Sequence, residues 1–468
     1  MNQDTIVAIA TAHGVGAVGI VRISGEGALE VLRRVFRPMP AKTESHRMYY
    51  GKIFCGNEVV DEVMVCYMKA PRSFTCEDSV EIYGHGGMFV LGEVLSVVLE
   101  NGARLAEAGE FTKRAFLNGR LNLSQAEAVA DLIGAKTAAA RRAALRQLGG
   151  GLSSRVEGVR DRILMWLAHI ELSIDYPEHE EEARNVSEIL SEADAVISDL
   201  QKLAATASMG RIIREGVRTA IVGRPNVGKS TLLNAILHEN RAIVHETAGT
   251  TRDVLTEEVR VADVPLIIMD TAGLRETADP IEKIGIQKTR DAALDAELIL
   301  YVADMAQGLT QEDFEEIEKF SDEKNFLVLM NKADKFSQGQ FSGTSSPNPY
   351  ELFEKSSTKT LTAKTLRVSA RTGEGLEDVF SEIRKLFMAG NIGTGGEDEI
   401  ITRERHRVLL AQAVGHLENA KRELREGVPE DLVSVSLRAA YIALGEILGK
   451  EIGDDILDRI FAEFCVGK

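Results

Sequence analysis

The segment Thr219-Ala220-Ile221-Val222-Gly223-Arg224-Pro225-Asn226-Val227-Gly228-Lys229-Ser230-Thr231-Leu232-Leu233 runs from an apolar strand pattern, through a glycine-bounded loop, into the start of a helical pattern. It is G-x-x-x-x-G-K-S in the setting that a phosphate-binding loop requires. Gly223 and Gly228 let the backbone turn its N–H groups inward toward phosphate oxygens, Lys229 adds a point charge, and Ser230 offers a hydroxyl to Mg2+. Asn226, Val227, Gly228, Lys229, Ser230 and Thr231 are the expected contacts of a nucleotide.

The residues that follow choose the nucleotide. Asp270-Thr271-Ala272-Gly273 comes after the apolar run at residues 265–269, which puts a carboxylate at a strand end toward the Mg2+ shell and a backbone N–H near the γ-phosphate. Asn331-Lys332-Ala333-Asp334 follows another apolar run, residues 326–330. The Asp334 carboxylate suits the N1–H and exocyclic amine of guanine, donors that adenine does not offer. Ser369-Ala370-Arg371 follows a third strand end and fits the loop that contacts the base. Guanine specificity is the expected outcome.

With 468 residues the chain is long enough for two or three domains that each bury a core. Its formal charge of −17 repels nucleic acid, so an RNA contact has to use a local basic patch or a partner protein. Cys55, Cys66, Cys76 and Cys465 show no C-x-x-C and no paired spacing. That argues against a disulfide framework or a structural zinc and fits a reducing cytoplasm. A polar, acidic start and an apolar run soon broken by glycines predict neither a signal peptide nor a membrane span.

Outward from the loop the chain reads as multidomain, α/β plus all-α. Residues 1–118 alternate strand patterns, at 6–11, 18–24, 59–69 and 79–83, with helix patterns at 26–36 and 89–100. Gly14-x-Gly16-x-x-Gly19 matches the dinucleotide fingerprint in letters only, because Gly19 opens a β-branched run where that fingerprint needs a helix. Residues 119–213 are helical, with apolar steps at Leu145, Leu148, Leu152, Val156, Val159, Ile163, Leu167, Ile170 and Ile174. A turn at Asp175-Tyr176-Pro177 and a solvated acidic run at residues 178–182 lead to a helix carrying Ile189, Ala193, Val196, Leu200 and Leu203.

Residues 214–387 form the expected Ras-like domain, with a Ser-, Gly-, Pro- and Asn-rich insertion at 337–359. Residues 388–468 open with a glycine-rich linker at 389–396 and return to helices through Leu410, Ala413 and Leu417, then Leu437, Ala440 and Leu444, then Ile456, Ile460, Phe461 and Phe464. Helical segments on both sides predict that the Ras-like domain is inserted into one helical domain, with its two ends close in space.

In small Ras-like GTPases a glutamine directly after Asp-x-x-Gly orients the attacking water. Here that position is Leu274, which neither donates nor accepts, so another group has to hold the water. Arg275, Glu276, Asp279 and Glu282 are the nearby candidates. Within residues 242–253, Thr251 is the natural switch threonine for Mg2+. Asn226, facing a long switch whose carbonyls can turn inward, can hold a monovalent cation by the β- and γ-phosphates and so do the electrostatic work of an arginine finger. Arg252 competes for that work, and a loop-stabilising role is the plain alternative for Asn226.

With these residues in view, the chain resembles the bacterial tRNA-modification GTPases of the MnmE (TrmE) family from end to end. Beyond the GTPase motifs the resemblance rests on Gly19-Ile20-Val21-Arg22-Ile23-Ser24-Gly25, Ser73-Phe74-Thr75-Cys76-Glu77-Asp78, residues 81–87 and 109–120, Gln125-Ala126-Glu127-Ala128-Val129, and Cys465-Val466-Gly467-Lys468. It implies an N-terminal α/β folate-binding domain, a helical domain and an inserted Ras-like domain, in a cytoplasmic homodimer joined through the N-terminal domains. It further implies a formyl- or methylene-tetrahydrofolate as one-carbon source. The implied partner is the flavoprotein MnmG, with which an aminomethyl or carboxymethylaminomethyl group is placed on C5 of the wobble uridine, U34, of certain tRNAs. No membrane is involved.

The family's GTPase domains pair across the dimer in a K+-dependent way. This carries over to Asn226, His245, Thr247 and Thr250 as K+ positions, and to Glu282 as the residue that orients the water. The switch run His245, Glu246, Thr247, Ala248, Gly249, Thr250 and Thr251 is then expected at GTP. Arg22, Arg120 and Lys468 suit the anionic part of a folate and Glu81 the pterin; without the family, the basic residues read as surface salt-bridge partners. Cys465 near Lys468 reads as a thiolate nucleophile or acid/base, or as a half-buried core cysteine after a helix.

Three departures from the family pattern stand out. Cys76 replaces a usual glycine, His245 a small hydroxyl residue, and Arg120 the commoner lysine, which keeps the charge but changes the hydrogen-bond geometry. Two rival readings remain. A regulatory GTPase of ribosome assembly needs a basic RNA-binding appendage, which acidic helical flanks do not offer. A GTP-driven scaffold would leave all chemistry to its partner.

Overall fold

Strands rich in Val, Ile and Tyr, with inward and outward side chains alternating, make the N-terminal part of the chain a sheet. The computed structural model describes residues 4–175, 186–240, 257–269, 294–321, 325–335, 364–388 and 399–467. β1 (Ile6–Ile9), β2 (Val18–Ser24), β3 (Phe36–Arg37), β4 (Arg47–Cys55), β5 (Glu58–Met68), β6 (Ser79–His85) and β7 (Arg104–Leu105) pair in the order β3-β4-β5-β6-β2-β1-β7. Only the β1–β7 pairing is parallel. Val21, Ile23, Val63, Val65, Val80 and Ile82 form one core with α1 (Ala28–Val35) and α2 (Met88–Glu100). The other face carries a cross-strand row, Arg22, Glu81 and Cys66. Gly14 and Gly16 lie in the loop between two antiparallel strands, so no helix follows for a dinucleotide to use.

α3 (Glu110–Leu117) leads to α4 (Leu123–Ile133), which opens on a capping box: Asn122 Oδ1 accepts from Gln125 N, and Gln125 Oε1 from Asn122 N, each at 3.0 Å. α5 (Ala138–Leu148) and α6 (Gly151–Asp175) are separate helices. Their break at Gly149-Gly150 resets the helical phase, so Leu145 is exposed while Leu152, Val156, Val159, Ile163, Leu167 and Ile170 are buried. Ile174, in the last turn of α6, is exposed as well.

α7 (Val186–Ala205), α12 (Glu404–Arg425), α13 (Glu430–Leu448) and α14 (Asp454–Phe461) supply further helices, with α6 packed along α13. α14 buries Leu457 and Phe461 against Leu123 and Ala126 of α4, which turns Ile456 outward. α4 and α12 are also tied by charge. Glu127 accepts from Arg405 Nε at 3.0 Å and Nη2 at 2.9 Å, with His406 Nε2 at 2.7 Å.

The second sheet has the order β13-β12-β11-β8-β10-β9, built from β8 (Val217–Val222), β9 (Glu257–Val261), β10 (Val264–Ile268), β11 (Leu298–Asp304), β12 (Asn325–Asn331) and β13 (Lys364–Arg367). It is parallel except for the edge strand β9. Every residue of β11 is buried, as a central strand covered on both faces requires. Among the described residues this domain has α8 (Ala207–Glu215), α9 (Lys229–Asn240), α10 (Gln311–Ser321) and α11 (Leu376–Met388).

Contacts divide the chain into two units: Met1–Gly134 with Ala144–Lys202 and Arg405–Lys468, and Ala135–Ala143 with Leu203–Glu404. The core of the second unit takes in Ala139, Ala140 and Ile213, upstream of residue 214. Thr206 Oγ1 accepts from Ile401 N at 3.0 Å, so the inserted domain leaves beside the point where it begins. The acidic run at 178–182, the insertion at 337–359 and the linker at 389–396 lie outside the described residues. Among those described, no helix is long and apolar enough to cross a membrane.

Candidate functional site

The loop after β8 is held by side chains gripping its carbonyls. Lys229 Nζ donates to Gly223 O at 2.7 Å and Arg224 O at 2.8 Å, Lys332 Nζ to Asn226 O at 2.8 Å, and Asn331 Nδ2 to Val227 O at 2.8 Å. Peptide units whose carbonyls are held on one side present their N–H groups to the other, as an anion at a helix N-terminus requires. Gly228 has φ +102°, and a Cβ there would strike the Asn331 amide. Asn226 takes φ +62°, which asparagine tolerates better than most side chains. Burial pulls the Lys229 ammonium below its ordinary pKa. An ammonium taken out of water gains most from an anion, so this cradle fits a phosphate chain.

The motifs expected to read the base converge on the same loop. Asn331 Oδ1 accepts from Ala370 N at 2.9 Å, and Lys332 Nζ also donates to Asp304 Oδ2 at 2.8 Å. Ser369 Oγ donates to Asp334 Oδ1 at 2.6 Å, and Arg371 donates to Oδ2. These two partners hold the Asp334 carboxyl below the usual carboxylate range, so it stays an acceptor. The fold therefore gathers residues 226–231 with Asn331, Lys332, Asp334, Ser369 and Ala370.

Ser230 lies in the first turn of α9, and its hydroxyl is the hard oxygen donor that Mg2+ prefers; the amide oxygen of Asn226 suits an alkali cation. His245, Glu246, Thr247, Ala248, Gly249, Thr250, Thr251, Arg252, Asp270, Thr271, Ala272, Gly273, Glu282 and Lys468 lie outside the described residues.

A second polar site lies on the other face of the first sheet, beside a small core of Ile6, Ala8, Ala106 and Phe111. Arg22 Nε donates to Glu81 Oε1 at 2.9 Å, and Arg22 Nη1 to the Gly467 carbonyl at 3.2 Å. The Arg22 guanidinium lies 5.9 Å from the Phe74 ring centre and 5.8 Å from that of Phe111, while Arg120 approaches the same Phe74 ring to 5.1 Å. Arg120 Nη1 also donates to Ser73 O at 2.6 Å. Tyr83 donates to Glu81 Oε2, and burial together with that carboxylate pushes the phenol pKa up. The tail that brings Gly467 here is pinned by an Ala108–Val466 bridge and by Gly109 N donating to Cys465 O at 3.3 Å. Gly467, at φ +91°, passes so close to the Ile9 carbonyl that no Cβ would fit. Cys465 is exposed, so it is not the half-buried core cysteine that its place after a helix suggests.

Arg22, Glu81 and Arg120 are thus brought together, with Cys465 two residues from the Arg22 contact. Two cations on one aromatic ring, beside an oriented carboxylate, fit a ligand with an anionic tail and a donor-bearing ring. Phe74, Tyr83 and Phe111 were not singled out from sequence for this site. Tyr83 had a usable signal, since it lies two residues from Glu81 on the same strand face.

Residues 123–465 match the family described as MnmE helical domain, and residues 5–120 match GTP-binding protein TrmE N-terminus. Proteins called tRNA modification GTPase MnmE from Finegoldia magna and Desulforamulus reducens are 44% identical over 468 residues and 43% identical over 474 residues, each with 100% of both chains covered. Among solved structures, Era of Aquifex aeolicus bound to GDP.AlF4- is 25% identical, with 42% of this chain and 65% of that one covered and a TM-score of 0.28, too partial a likeness to add weight. Identity of this order over the full length, together with both family matches, makes the chain a member of the MnmE family of tRNA modification GTPases.

Proposed function

We propose that this GTPase runs a K+-activated cycle in which two GTPase domains pair across a homodimer. The cycle serves transfer of a one-carbon unit from a tetrahydrofolate toward C5 of the wobble uridine of certain tRNAs, together with the flavoprotein MnmG. The proposed domains are residues 1–118, 119–213, 214–387 and 388–468. The observation that carries this reading is the Arg22–Glu81 pair, set against Phe74 and the Gly467 carbonyl. A plain guanine-nucleotide switch has no use for a second polar site on a separate sheet.

When bound, the reduced folate supplies a one-carbon unit, and Mg2+ and K+ supply positive charge at the phosphates. Lys229 and the N–H groups of residues 226–231 orient the β- and γ-phosphates, and Asp334 fixes the guanine edge. Ser230 and Thr251 hold Mg2+, while Asn226, His245, Thr247 and Thr250 hold K+. Glu282 orients the attacking water in the role that Leu274 cannot fill, and Arg252 is the competing candidate for the electrostatic work given to K+. Glu81 takes the pterin edge, and Arg22, Arg120 and Lys468 take the anionic tail.

A second reading leaves Cys465 structural, favoured by the contact made through its carbonyl, with the thiol exposed. Cys465→Ser separates the two, since loss of modification with GTP turnover intact supports chemistry at the thiol. The test of the whole proposal is mass analysis of wobble uridines in a deletion strain complemented by wild type, Glu282→Ala or Arg22→Ala. Restoration by wild type alone is expected. Full restoration by Arg22→Ala would remove the folate site from the proposal.

A further inference from the structure

The guanine-reading carboxylate is already engaged. Ser369 Oγ donates to Asp334 Oδ1 at 2.6 Å, while Arg371 Nε and Nη2 both donate to Oδ2, at 2.9 and 2.6 Å. Guanine would approach this carboxylate with N1–H and its exocyclic amine, two N–H donors on neighbouring atoms of a guanidine fragment. The Arg371 side chain presents the same pair of donors on the same fragment.

We propose that Arg371 is a built-in competitor for guanine, closing on Asp334 when the base is away and swinging aside when it arrives. This rests on the reading of Asp334 as the guanine acceptor.

The surroundings allow such a swing without rebuilding the site. The backbone of the Ser369 loop is fixed independently of Arg371: Ala370 N donates to Asn331 Oδ1 at 2.9 Å, Ser369 N to Glu374 O at 2.8 Å, and Gly373 N to Ser369 O at 2.9 Å. The Arg371 side chain is 72% exposed and so passes into water, while the Asp334 carboxylate, only 9% exposed, keeps the Ser369 hydroxyl and is left for the base to cover. Only side-chain torsions have to change. The Ser369 hydroxyl stays on Oδ1 and keeps the carboxylate aimed.

A self-competitor lowers apparent affinity by the fraction of time the site is open. An ion pair whose cation stays mostly in water closes weakly, so the expected effect is modest, about two- to fivefold. It is also screened by salt, because the closing contact is between two charges near the surface.

The test is binding of a fluorescent GDP to the full-length chain, for wild type, Arg371→Ala and Arg371→Lys, at low and high ionic strength. Arg371→Ala is expected to bind about two- to fivefold more tightly, mostly through faster association, with the gain shrinking at high salt. Arg371→Lys, which keeps a charge but loses the fork, should fall between the two. Equal or weaker binding by Arg371→Ala overturns the proposal, since the arginine would then be idle or would support the base. Competition by ADP against GDP on wild type guards the underlying reading. If wild type shows no preference for GDP, the assignment of Asp334 fails; if it does and Arg371→Ala changes nothing, only the competitor fails.

Discussion

The side-chain amide of Asn331 donates to the main-chain carbonyl of Val227 at 2.8 Å. Because its oxygen accepts from Ala370 N at 2.9 Å, this one buried residue locks the phosphate loop and the base-reading loop together. Asn331→Ala leaves a buried carbonyl and a buried N–H without these partners, at a cost of about 1–3 kcal/mol each. GDP binding is expected to weaken by roughly tenfold or more, with a lower midpoint of thermal unfolding. Unaltered GDP affinity in a folded Asn331→Ala protein would show that the two loops are set independently.

Glu127 makes stability depend on acid. Burial pushes its carboxyl up, but His406 and Arg405 outweigh burial and hold it well below its ordinary value of 4.5. The unfolded chain therefore takes up the proton first, so the contribution is complete above about pH 4.5 and is lost as pH falls below it. Glu127→Gln should flatten the acid limb of a urea-unfolding series between about pH 5 and pH 3. Glu127→Ala, which removes the buried carboxylate facing Arg405 and His406, should cost about 3–5 kcal/mol at pH 7. Parallel acid limbs for wild type and Glu127→Gln would count against this.

How much could be read in advance depended on how locally each feature is encoded. Lys229, Asn331 and Asp334 announce themselves because phosphate and guanine recognition impose residue types at fixed short spacings. The second site is assembled from distant segments. Arg22 meets the carbonyl of Gly467 across most of the chain, and a backbone contact leaves no side-chain signature. β4 escaped because Met48 and Tyr50 face outward and a bulge at Ile53/Phe54 interrupts its alternation. Leu145 was misplaced because a helical period carried across Gly149-Gly150 ignores the turn there.

Leu274 and Asn226 together motivate a salt test. GTP turnover by the full-length chain is expected to rise about tenfold or more when Na+ is replaced by K+ at constant ionic strength, and Asn226→Ala should abolish that difference. Equal rates in the two salts would dispose of the cation.

Turnover should also depend on Glu282. Glu282→Ala is expected to keep GDP affinity within about twofold while losing roughly a hundredfold in turnover, the usual scale for removing a group that positions a proton acceptor or water. Wild-type turnover would shift that role to Arg275, Glu276 or Asp279.

Arg22 offers the sharpest test of the second site, because one guanidinium pairs with Glu81, lies over Phe74 and Phe111, and anchors the tail through Gly467. Arg22→Ala should weaken binding of tetrahydrofolate, measured by calorimetry, by about tenfold or more, as loss of a charge-assisted contact predicts. GDP binding should stay within about twofold, since Arg22 and the phosphate loop belong to different units of the chain. Arg22→Lys keeps the charge but neither the fork nor the planar stack, so an intermediate loss is expected. The tail supplies a second readout: without the bond to its carbonyl, Gly467 should become more open to carboxypeptidase. If wild type retains no reduced pterin, the folate assignment falls; if both variants bind it as wild type does, the ligand sits elsewhere and Arg22 serves only to fasten the tail.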